Sequence, residues 1–403
     1  MKVTLEDIKQ AHEVIKNTIE RTPVDYSKSA SKLVGTEIFC KLENNQRTGS
    51  FKIRGALNKL SSLTENEKKR GVIACSAGNH AQGVALSAAL LDLKAKIVMP
   101  ETASISKIQA TKSYGAEVIT HGQMFDEAKE YSLKLAENEG YTFVHPYEDE
   151  KVIAGQGTIG LELHQQLSDL ESVIIPIGGG GLISGTATAL KNLNPKIRII
   201  GVQAESVNTM SQLFHHQKFN PIQKNVSTLA DGIAIKQPSE LMYKTFISKL
   251  VDEVVTVTED QIAAAIVFIL ERVKSVAEGS GAVAMAAAMV HKEKLKLGKK
   301  SCVLISGGNI DLNIVSQVIG RGQVERGRLC HLSVVCPDVP GTLSRLTQTI
   351  AELRANVLEV HHDRMRQGLH LKETRIDFVL ETTSHEHIQK IREAITQLGF
   401  RLL

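Results

Sequence analysis

Short runs of β-branched residues alternate along most of this chain with longer segments of helical period. This alternation is typical of parallel strands joined by crossover helices, and it predicts an α/β fold with buried, mostly parallel sheets. The runs expected to be strands are Gly71–Cys75, Lys96–Met99, Glu117–Thr120, Ser172–Ile177, Ile197–Gln203 and Ser301–Ile305. The segments expected to be helices are Asn79–Leu91, Ile105–Tyr114, Gln123–Glu139, Ile183–Lys191 and Glu259–Lys274.

Small, polar or glycine-rich residues directly follow three of the expected strands. They are Ser76–His80, Gly178–Gly181 and Ser306–Asn309. Because ligands of open α/β folds collect at the carboxyl ends of the strands, we expect these segments to meet a ligand.

The run Gly178–Gly181 gives the clearest indication of ligand chemistry. A buried strand precedes it and a helix is expected to start near Leu182, so bare amides and the positive end of a helix would meet there. Such a turn favours an anion, most naturally a phosphate. A dinucleotide-binding G-x-G-x-x-G does not fit, because a motif that ends at Gly185 requires a glycine at position 182, which is Leu182. A P-loop does not fit either, because no Gly-Lys-Ser/Thr follows. A tight turn without a ligand stays the alternative.

Lys52 stands at the expected start of another helix, directly after a Thr48-Gly49 turn. On the simplest interpretation it is a solvated lysine in a helix capped by Ser50. The flat face of Phe51 and the apolar residues that follow at helical spacing argue for a different role. An amine in apolar surroundings loses its proton more easily and can act as a nucleophile.

The pattern changes near residues 321–328, which are charged, punctuated by glycine and free of a long apolar period. We interpret them as a linker. Residues 329–403 then show a β-α-β-β-α-β order, which predicts a separate ferredoxin-like domain without an evident catalytic cluster. Its expected elements are Leu329–Val335, Gly341–Arg354, Val357–Arg364, Leu371–Glu381, His385–Leu398 and Phe400–Leu402.

Composition narrows the range of partners. The 403 residues allow two or three domains, and they are 42% hydrophobic and 23% charged, with a formal net charge of only +4. That balance gives no reason to expect nucleic acid or a membrane as a partner. Apolar stretches such as 282–290 are too short to span a bilayer, and the first residues lead into a polar helix rather than a signal peptide. A cytoplasmic location is therefore the default expectation.

The five cysteines do not indicate a metal or redox site. Cys40, Cys75 and Cys302 fall in apolar strand-like runs and are expected to be buried thiols. Cys330 and Cys336 are separated by five residues, a spacing that matches no zinc or redox motif. We therefore expect these thiols to hold no metal.

Five motifs stand out along the chain: Ser-Phe-Lys-x-Arg-Gly at 50–55, Ser-Ala-Gly-Asn-His-Ala-Gln-Gly at 76–83, Ala-Gly-Gln-Gly-Thr at 154–158, the glycines at 178–181 and Ser-Gly-Gly-Asn at 306–309. Together they make this chain similar to the fold-type II pyridoxal phosphate enzymes, and among them to the threonine dehydratases. The resemblance covers about residues 1–320 and implies two open α/β subdomains, the smaller one (about 48–145) inserted in the larger. Residues 329–403 resemble an ACT domain, a small amino-acid-sensing module, in motifs such as Asp-Val-Pro-Gly-Thr-Leu at 338–343.

The resemblance implies roles for individual residues. Lys52 would anchor pyridoxal 5'-phosphate as an imine and remove the Cα proton of the substrate, and Phe51 would pack against the pyridine ring. Asn79 would hydrogen-bond the phenolic oxygen of the cofactor, and Ser306 would face the pyridine nitrogen. The cofactor phosphate would be held by Gly178, Gly179, Gly180, Gly181 and Leu182. The substrate carboxylate would be bound by Ser76, Ala77, Gly78, Asn79 and His80, with His80 in a structural role rather than as the general base.

The implied activity is conversion of L-threonine to 2-oxobutanoate and ammonia, with L-serine converted to pyruvate more slowly. Two departures separate the chain from the similar serine racemases. Ala77 stands where those enzymes commonly carry a serine that donates a proton to the far face of Cα, so we expect elimination rather than racemisation. Gln203 and Ala204 replace the acidic start of the divalent-cation site of eukaryotic racemases, so no metal is expected there.

Several questions stay open at the level of sequence. The ACT resemblance implies a branched-chain amino-acid effector such as isoleucine, and the architecture implies a homodimer or homotetramer. Glu278 could approach the cofactor or cap a helix. Alternatives within the fold are an L-serine dehydratase and a serine or threonine racemase. Outside it, a dinucleotide-dependent oxidoreductase using Glu205 leaves Lys52 unexplained, and a non-catalytic amino-acid sensor leaves all five motifs unused.

Overall fold

Three sheets organise the chain in a computed structural model that describes residues 1–223, 226–366 and 368–403. Residues Met1–Ile310 form one unit and Asp311–Leu403 form another, and each is considered by itself. Within the described ranges, the helices lack the combination of length and apolar character needed to cross a bilayer.

The strands of the first unit belong to two sheets. In chain order they are β1 (Val24–Tyr26), β2 (Glu37–Leu42), β3 (Val72–Cys75), β4 (Ala95–Met99), β5 (Glu117–Thr120), β6 (Thr142–Phe143), β7 (Ser172–Pro176), β8 (Arg198–Ala204), β9 (Glu253–Val257) and β10 (Lys300–Ile305). Each strand predicted from the sequence in this unit is present, and its ends differ from the prediction by at most one residue.

Helices connect these strands. In chain order they are α1 (Leu5–Ile15), α2 (Lys28–Val34), α3 (Lys52–Ser61), α4 (Glu65–Arg70), α5 (Asn79–Leu90), α6 (Ile105–Ser113), α7 (Phe125–Glu139), α8 (Glu150–Gln166), α9 (Gly181–Leu193), α10 (Thr209–Phe214), α11 (Glu240–Met242), α12 (Ser248–Leu250), α13 (Glu259–Phe268), α14 (Gly279–Val290) and α15 (Lys292–Leu295). The predicted helix Glu259–Lys274 is α-helical to Phe268 and continues with the wider turns of a π-helix over Ile269–Val273.

The larger sheet has the strand order β1-β2-β10-β7-β8-β9. Neighbours from β2 to β9 are parallel, and the short edge strand β1 runs antiparallel. Strand β7 is buried along its whole length, as expected of a parallel strand inside a sheet that helices cover on both faces. The smaller sheet, β5-β4-β3-β6, is parallel throughout and comes from residues 72–143. The predicted α/β class is confirmed.

Helix α8 packs closely against both α3 and α9, because the residues at the two contacts are glycines without side chains. A Cβ atom on Gly155 of α8 would lie 2.5 Å from the carbonyl oxygen of Arg54 in α3. A Cβ atom on Gly185 of α9 would overlap the carbonyl oxygen of Ile153 in α8. The motif at 154–158 is therefore a packing junction between the two helices that begin with Lys52 and with Gly181.

A buried ion network also anchors α3. The guanidinium group of Arg54 donates hydrogen bonds to Glu43 at 2.8 Å and to Glu162 at 2.6 Å, and Lys41 donates to Glu162 at 2.5 Å. The four side chains are at most 2% exposed. Two positive and two negative charges meet, so each buried charge has an opposite partner, which burial requires.

The second unit contains an antiparallel sheet in the order β12-β13-β11-β14. Its core includes Leu332, Ile350, Phe378 and Ile395. Its elements are α16 (Leu312–Glu325), β11 (Leu329–Pro337), α17 (Thr342–Glu352), β12 (Asn356–Asp363), β13 (Glu373–Glu381), α18 (His385–Gln397) and β14 (Arg401–Leu402). From β11 onward this is the predicted ferredoxin-like β-α-β-β-α-β order.

The segment interpreted as a linker differs from the expectation. Residues 321–325 are the last turn and a half of α16, and the two units divide after Ile310 rather than near 320. A glycine inside a helix costs only about 1 kcal/mol, so the glycines there do not end it. Buried Val318 holds the helix to its unit. The assignment of residues 1–320 to catalysis and of 329–403 to regulation stays a prediction.

Candidate active site

A cavity of about 350 Å³ opens where strands of both sheets of the first unit end. It is bordered by the residues that follow β3, β7 and β10 and by the start of α3. Every residue assigned to the site from the sequence lines it: Phe51, Lys52, Ser76, Ala77, Gly78, Asn79, His80, Gly178, Gly179, Gly180, Gly181, Leu182 and Ser306. The structure thus brings these residues together, while the role of each stays a prediction.

Lys52 lies on the cavity wall, and its amine has no carboxylate partner at ion-pair distance among the described residues. The Nζ atom is 3.4 Å from the carbonyl oxygen of Pro146 and 5.2 Å from the centre of the Phe51 ring. Removal from solvent lowers the pKa of Lys52 to about 8, an effect that the charge of Glu278 partly opposes. Part of the amine is therefore neutral near neutral pH and able to act as a nucleophile or a base.

The prediction that Ser50 caps the lysine helix is wrong. Phe51 occupies the position before α3, and no side chain caps it. Ser50 forms a backbone bridge with Gly307 instead, which holds it in extended chain one residue too early to cap. Gln156 of α8 accepts a hydrogen bond from the Gly55 amide at 3.2 Å. A residue far away in sequence therefore satisfies part of this helix start.

The four glycines after β7 form a turn that side chains would fill. Gly180 has a φ of 97°, a left-handed value that favours glycine, and α9 begins at Gly181. A Cβ atom on Gly179 would overlap the ring of Tyr147, and one on Gly181 would lie 2.9 Å from the Tyr147 Cβ atom. Free amides at the start of this helix suit a phosphate. Together with the Lys52 amine, this turn fits pyridoxal phosphate.

Asn79 is held by two neighbours at the cavity wall. Its Nδ2 atom donates to the Oε1 atom of Glu278 at 2.6 Å, and its Oδ1 atom accepts from Asn309 at 2.8 Å. The two bonds fix the orientation of the amide and leave its second N–H group for a ligand. Ser306, nearby in the lining, offers a hydroxyl whose contact with the Ser280 carbonyl is a long 3.4 Å.

The structure argues against one of the two roles that the sequence leaves open for Glu278. It stands at the cap position of α14, but its side chain makes no cap hydrogen bond. The carboxyl group lines the cavity and accepts from Asn79. Burial first, and then the nearby charge of Asp231, raise the pKa of Glu278 to about 8. Glu278 therefore carries a proton through much of the neutral range.

His80 is a buried and neutral side chain. Its Nε2 atom lies 2.9 Å from the carbonyl oxygen of Val144, so this nitrogen carries the proton and donates. Burial, with the charge of Lys52 as a second cause, lowers the pKa of His80 to about 3. The ring holds the start of α5 against the segment after β6, which supports the structural role expected from the sequence.

Sequence reasoning missed one wall of the cavity. Pro146 and Tyr147, from the segment after β6, line it, as do Lys107 and Asp231, which form an ion pair at 2.7 Å. None of these positions carries a glycine run or a recognisable spacing. The place of Pro146 and Tyr147 becomes visible only when β6 pairs with β3 at the edge of the smaller sheet.

Gln203, which marks the departure from a cation site, is fully buried. Its amide donates to the Ile177 carbonyl at 3.2 Å and accepts from the Ser211 amide at 2.8 Å, so both polar atoms of the side chain bind the backbone.

Glu205 is absent from the lining residues described above. The described ranges contain no group of three His, Cys, Asp or Glu side chains placed to hold a metal. Cys40, Cys75 and Cys302 are buried thiols, as predicted.

Comparisons with known proteins agree with this geometry. Residues 15–307 match the family described as "Pyridoxal-phosphate dependent enzyme", and residues 331–400 match the "ACT domain". The "L-threonine ammonia-lyase" of Thermotoga maritima is 47% identical over 400 residues, which are 99% of either chain. The "L-threonine dehydratase catabolic TdcB" of Escherichia coli is 49% identical over 319 residues, which are 79% of this chain and 96% of that protein.

Solved structures show the same fold. Maize serine racemase has a TM-score of 0.75 at 34% identity and covers 81% of this chain and 99% of its own. The processed form of threonine deaminase isoform 2 from Solanum lycopersicum has a TM-score of 0.72 at 39% identity, over 78% of this chain and 91% of its own. A threonine deaminase and a serine racemase are thus both similar to this chain in fold.

Proposed function

We infer that this chain, which belongs to the pyridoxal-phosphate dependent enzymes and carries an ACT domain, is an L-threonine ammonia-lyase. It converts L-threonine to 2-oxobutanoate and ammonia. The observation that carries this conclusion is one cavity lined both by a glycine turn and by Lys52, whose amine has no carboxylate partner at ion-pair distance among the described residues. Similarity over nearly the whole length of an L-threonine ammonia-lyase supports the choice of substrate.

Pyridoxal 5'-phosphate, when bound, supplies the electron sink for the carbanion left when the Cα proton is removed. Lys52 would anchor it and would supply the base that takes that proton. The amides of Gly178–Gly181 and Leu182 would bind the phosphate, and Phe51 would pack against the ring. Asn79 would donate to the phenolic oxygen, in the orientation that its hydrogen bonds with Glu278 and Asn309 fix.

Ser306 would face the ring nitrogen with a hydroxyl group. A neutral partner does not enforce a positive charge on that nitrogen, so a long-lived carbanion is less favoured. Rapid loss of the β-hydroxyl group suits this setting. The residues Ser76–His80, at the start of α5, bind the substrate carboxylate with backbone amides and the positive end of the helix.

Ala77 decides between elimination and racemisation. It lines the cavity and carries a methyl group, so it has no proton to give to the far face of Cα. The lyase reaction needs a proton acceptor only on the face that Lys52 serves. The racemase alternative therefore ranks below the threonine lyase, and the L-serine dehydratase alternative ranks below it because of the similarity to an L-threonine ammonia-lyase. A dinucleotide oxidoreductase is disfavoured, since its acid Glu205 stands outside the cavity lining.

Regulation follows from the second unit as a proposal. An ACT domain implies that an effector binds, and a branched-chain amino acid such as isoleucine suits an enzyme that consumes threonine. We expect two or four identical subunits and a cytoplasmic location, which are predictions from the sequence.

A substrate panel with saturating pyridoxal phosphate tests the activity. We expect 2-oxobutanoate from L-threonine faster than pyruvate from L-serine, and little D-amino acid. In Lys52→Ala, turnover should fall by roughly 10²–10⁴-fold or more, since the variant lacks the base. Borohydride should fix the cofactor to the parent but not to Lys52→Ala, while the exposed-site control Lys69→Ala behaves like the parent. Strong racemisation with negligible keto-acid release would overturn the assignment.

A further inference from the structure

The segment that follows β6 contacts three parts of the site. The carbonyl oxygen of Val144 accepts from His80 at 2.9 Å, and that of Pro146 lies 3.4 Å from the Lys52 Nζ atom. The ring of Tyr147 occupies the space that a side chain on Gly179 would need. A small shift of this segment would therefore reach the lysine and the glycine turn together.

The side chain of His145 holds this segment in a tight turn. Its Nδ1 atom accepts hydrogen bonds from the backbone amide of Glu148 at 2.8 Å and from that of Tyr147 at 3.3 Å. Its ring also meets the Tyr147 ring edge-on, with centroids 4.7 Å apart. The imidazole thus acts as a local cap on two amides that would otherwise lack a partner within the turn.

This double acceptance requires a neutral ring with its proton on Nε2. Burial lowers the pKa of His145 to about 4, and the carboxylate of Glu148, 3.9 Å from Nε2, opposes that shift only in part. His145 is therefore neutral at neutral pH, and the turn is preserved there.

We propose that His145 is a positioning residue, whose Nδ1 atom fixes the 145–148 turn so that Tyr147 packs against the glycine turn and the Pro146 carbonyl faces the Lys52 amine. His145 itself lies outside the cavity lining. Its effect reaches the cofactor through Tyr147 and Pro146. This proposal rests on the proposed function, because it concerns how tightly the chain holds pyridoxal phosphate.

Two amide substitutions separate the role of Nδ1 from that of size and polarity. The oxygen of His145→Asn falls near the position of Nδ1, whereas that of His145→Gln reaches toward the position of Nε2. The readouts are the dissociation constant for pyridoxal phosphate, measured by absorbance titration of the full chain, and the melting temperature without cofactor. We expect His145→Asn to bind within about threefold of the parent and His145→Gln to bind roughly tenfold more weakly, the loss expected when partly buried amides lose their acceptor.

A double-mutant cycle with Tyr147→Ala tests the route of the effect. If His145 acts through Tyr147, adding His145→Gln to Tyr147→Ala should weaken binding by less than twofold, well below additivity. Equal binding by the Asn and Gln variants, or full additivity, would overturn the proposal. If His145→Gln does not fold, Tyr147→Ala alone must weaken binding. An unchanged dissociation constant for pyridoxal phosphate in that variant would also overturn the proposal. Failure of the parent to bind pyridoxal phosphate would instead defeat the proposed function.

Discussion

Lys41 and Lys52 show that the same type of side chain can have a structural role at one position of this unit and a chemical role at another. Lys41 is fully buried and donates to Glu162 at 2.5 Å. Lys52 lines a cavity, and its amine lies 3.4 Å from the carbonyl oxygen of Pro146. Removing an ammonium group from water is costly unless an opposite charge pairs with it, so Lys52 reduces the cost by losing its proton. Its reactivity follows from burial without a carboxylate at ion-pair distance among the described residues.

The pH dependence of cofactor attachment tests the state of this amine. Only the neutral amine attacks the aldehyde of pyridoxal phosphate, and desolvation lowers the pKa of Lys52 to about 8 in the free protein. The rate constant of attachment should therefore rise about tenfold per pH unit below pH 8 and level off above it. Stopped-flow absorbance of the cofactor-free full chain measures this profile. A rise that continues to about pH 10, as for a solvated lysine, would contradict it.

A serine at position 77 should add racemisation to elimination. The variant Ala77→Ser places a hydroxyl group in the cavity lining, where a proton can reach the far face of Cα. We expect D-serine formation from L-serine to rise by roughly 10²-fold, the lower end of what a positioned acid contributes. Chiral chromatography of the products measures it. The control Ala77→Val adds volume without a proton, and equal D-serine from both variants would show that proton donation is not the cause.

Residues recognised from the sequence share one property, since each lies in a motif that follows an expected strand or begins a helix. Lys52, Asn79 and Ser306 were found in this way and all line the cavity. Ser50 was assigned a cap that it does not form, because a bridge to Gly307 takes it out of position. Tyr147 was missed for a similar reason. Contacts between residues far apart in sequence leave no local pattern to detect.

Elements were predictable where their periodicity was strong. Parallel strands read as continuous apolar runs, and the helices between them kept a helical period. Helix α16 was not anticipated, because its glycines and charges suggested a linker. The packing of α3 and α9 on α8 was equally invisible, since small residues at a helix contact reveal nothing about their partner.

The contact between α8 and α9 can be tested at Gly185. A Cβ atom there would overlap the Ile153 carbonyl and lie 2.7 Å from the Gly157 amide, and neither backbone can yield easily. We expect Gly185→Ala to lower the free energy of unfolding by about 1–3 kcal/mol or more, because overpacking forces the two helices apart. Urea denaturation of the cofactor-free protein measures this loss.

Gly320 offers the matched control for this substitution. It also lies within a helix, but a Cβ atom there would meet nothing within 4 Å. Gly320→Ala should therefore raise the free energy of unfolding of its own unit by about 0.5–1 kcal/mol, through reduced freedom of the unfolded chain. If the two variants lose stability equally, the cause is not the helix contact.

At the level of the whole molecule, the two units have separate cores and match different family models. The Thermotoga maritima protein matches 99% of this chain, whereas the Escherichia coli protein matches 79% of it and 96% of itself. An L-threonine dehydratase can thus be built without a counterpart of the last fifth of this chain. The sequence predicts a catalytic part and a separate sensing part, because all five motifs of the expected active site precede residue 310.

Removal of the ACT domain should therefore separate response from catalysis. A truncated protein that ends at Arg328 retains every residue of the cavity lining and lacks the sheet of the second unit. We expect its turnover of L-threonine to stay within about threefold of the full chain, because no reacting group is lost, and its response to isoleucine to disappear. Initial rates of 2-oxobutanoate formation across a range of isoleucine concentrations measure both quantities, with the full chain as control. An unchanged response after truncation would place the effector site in the first unit, since a ligand shifts an equilibrium only through the state that it binds.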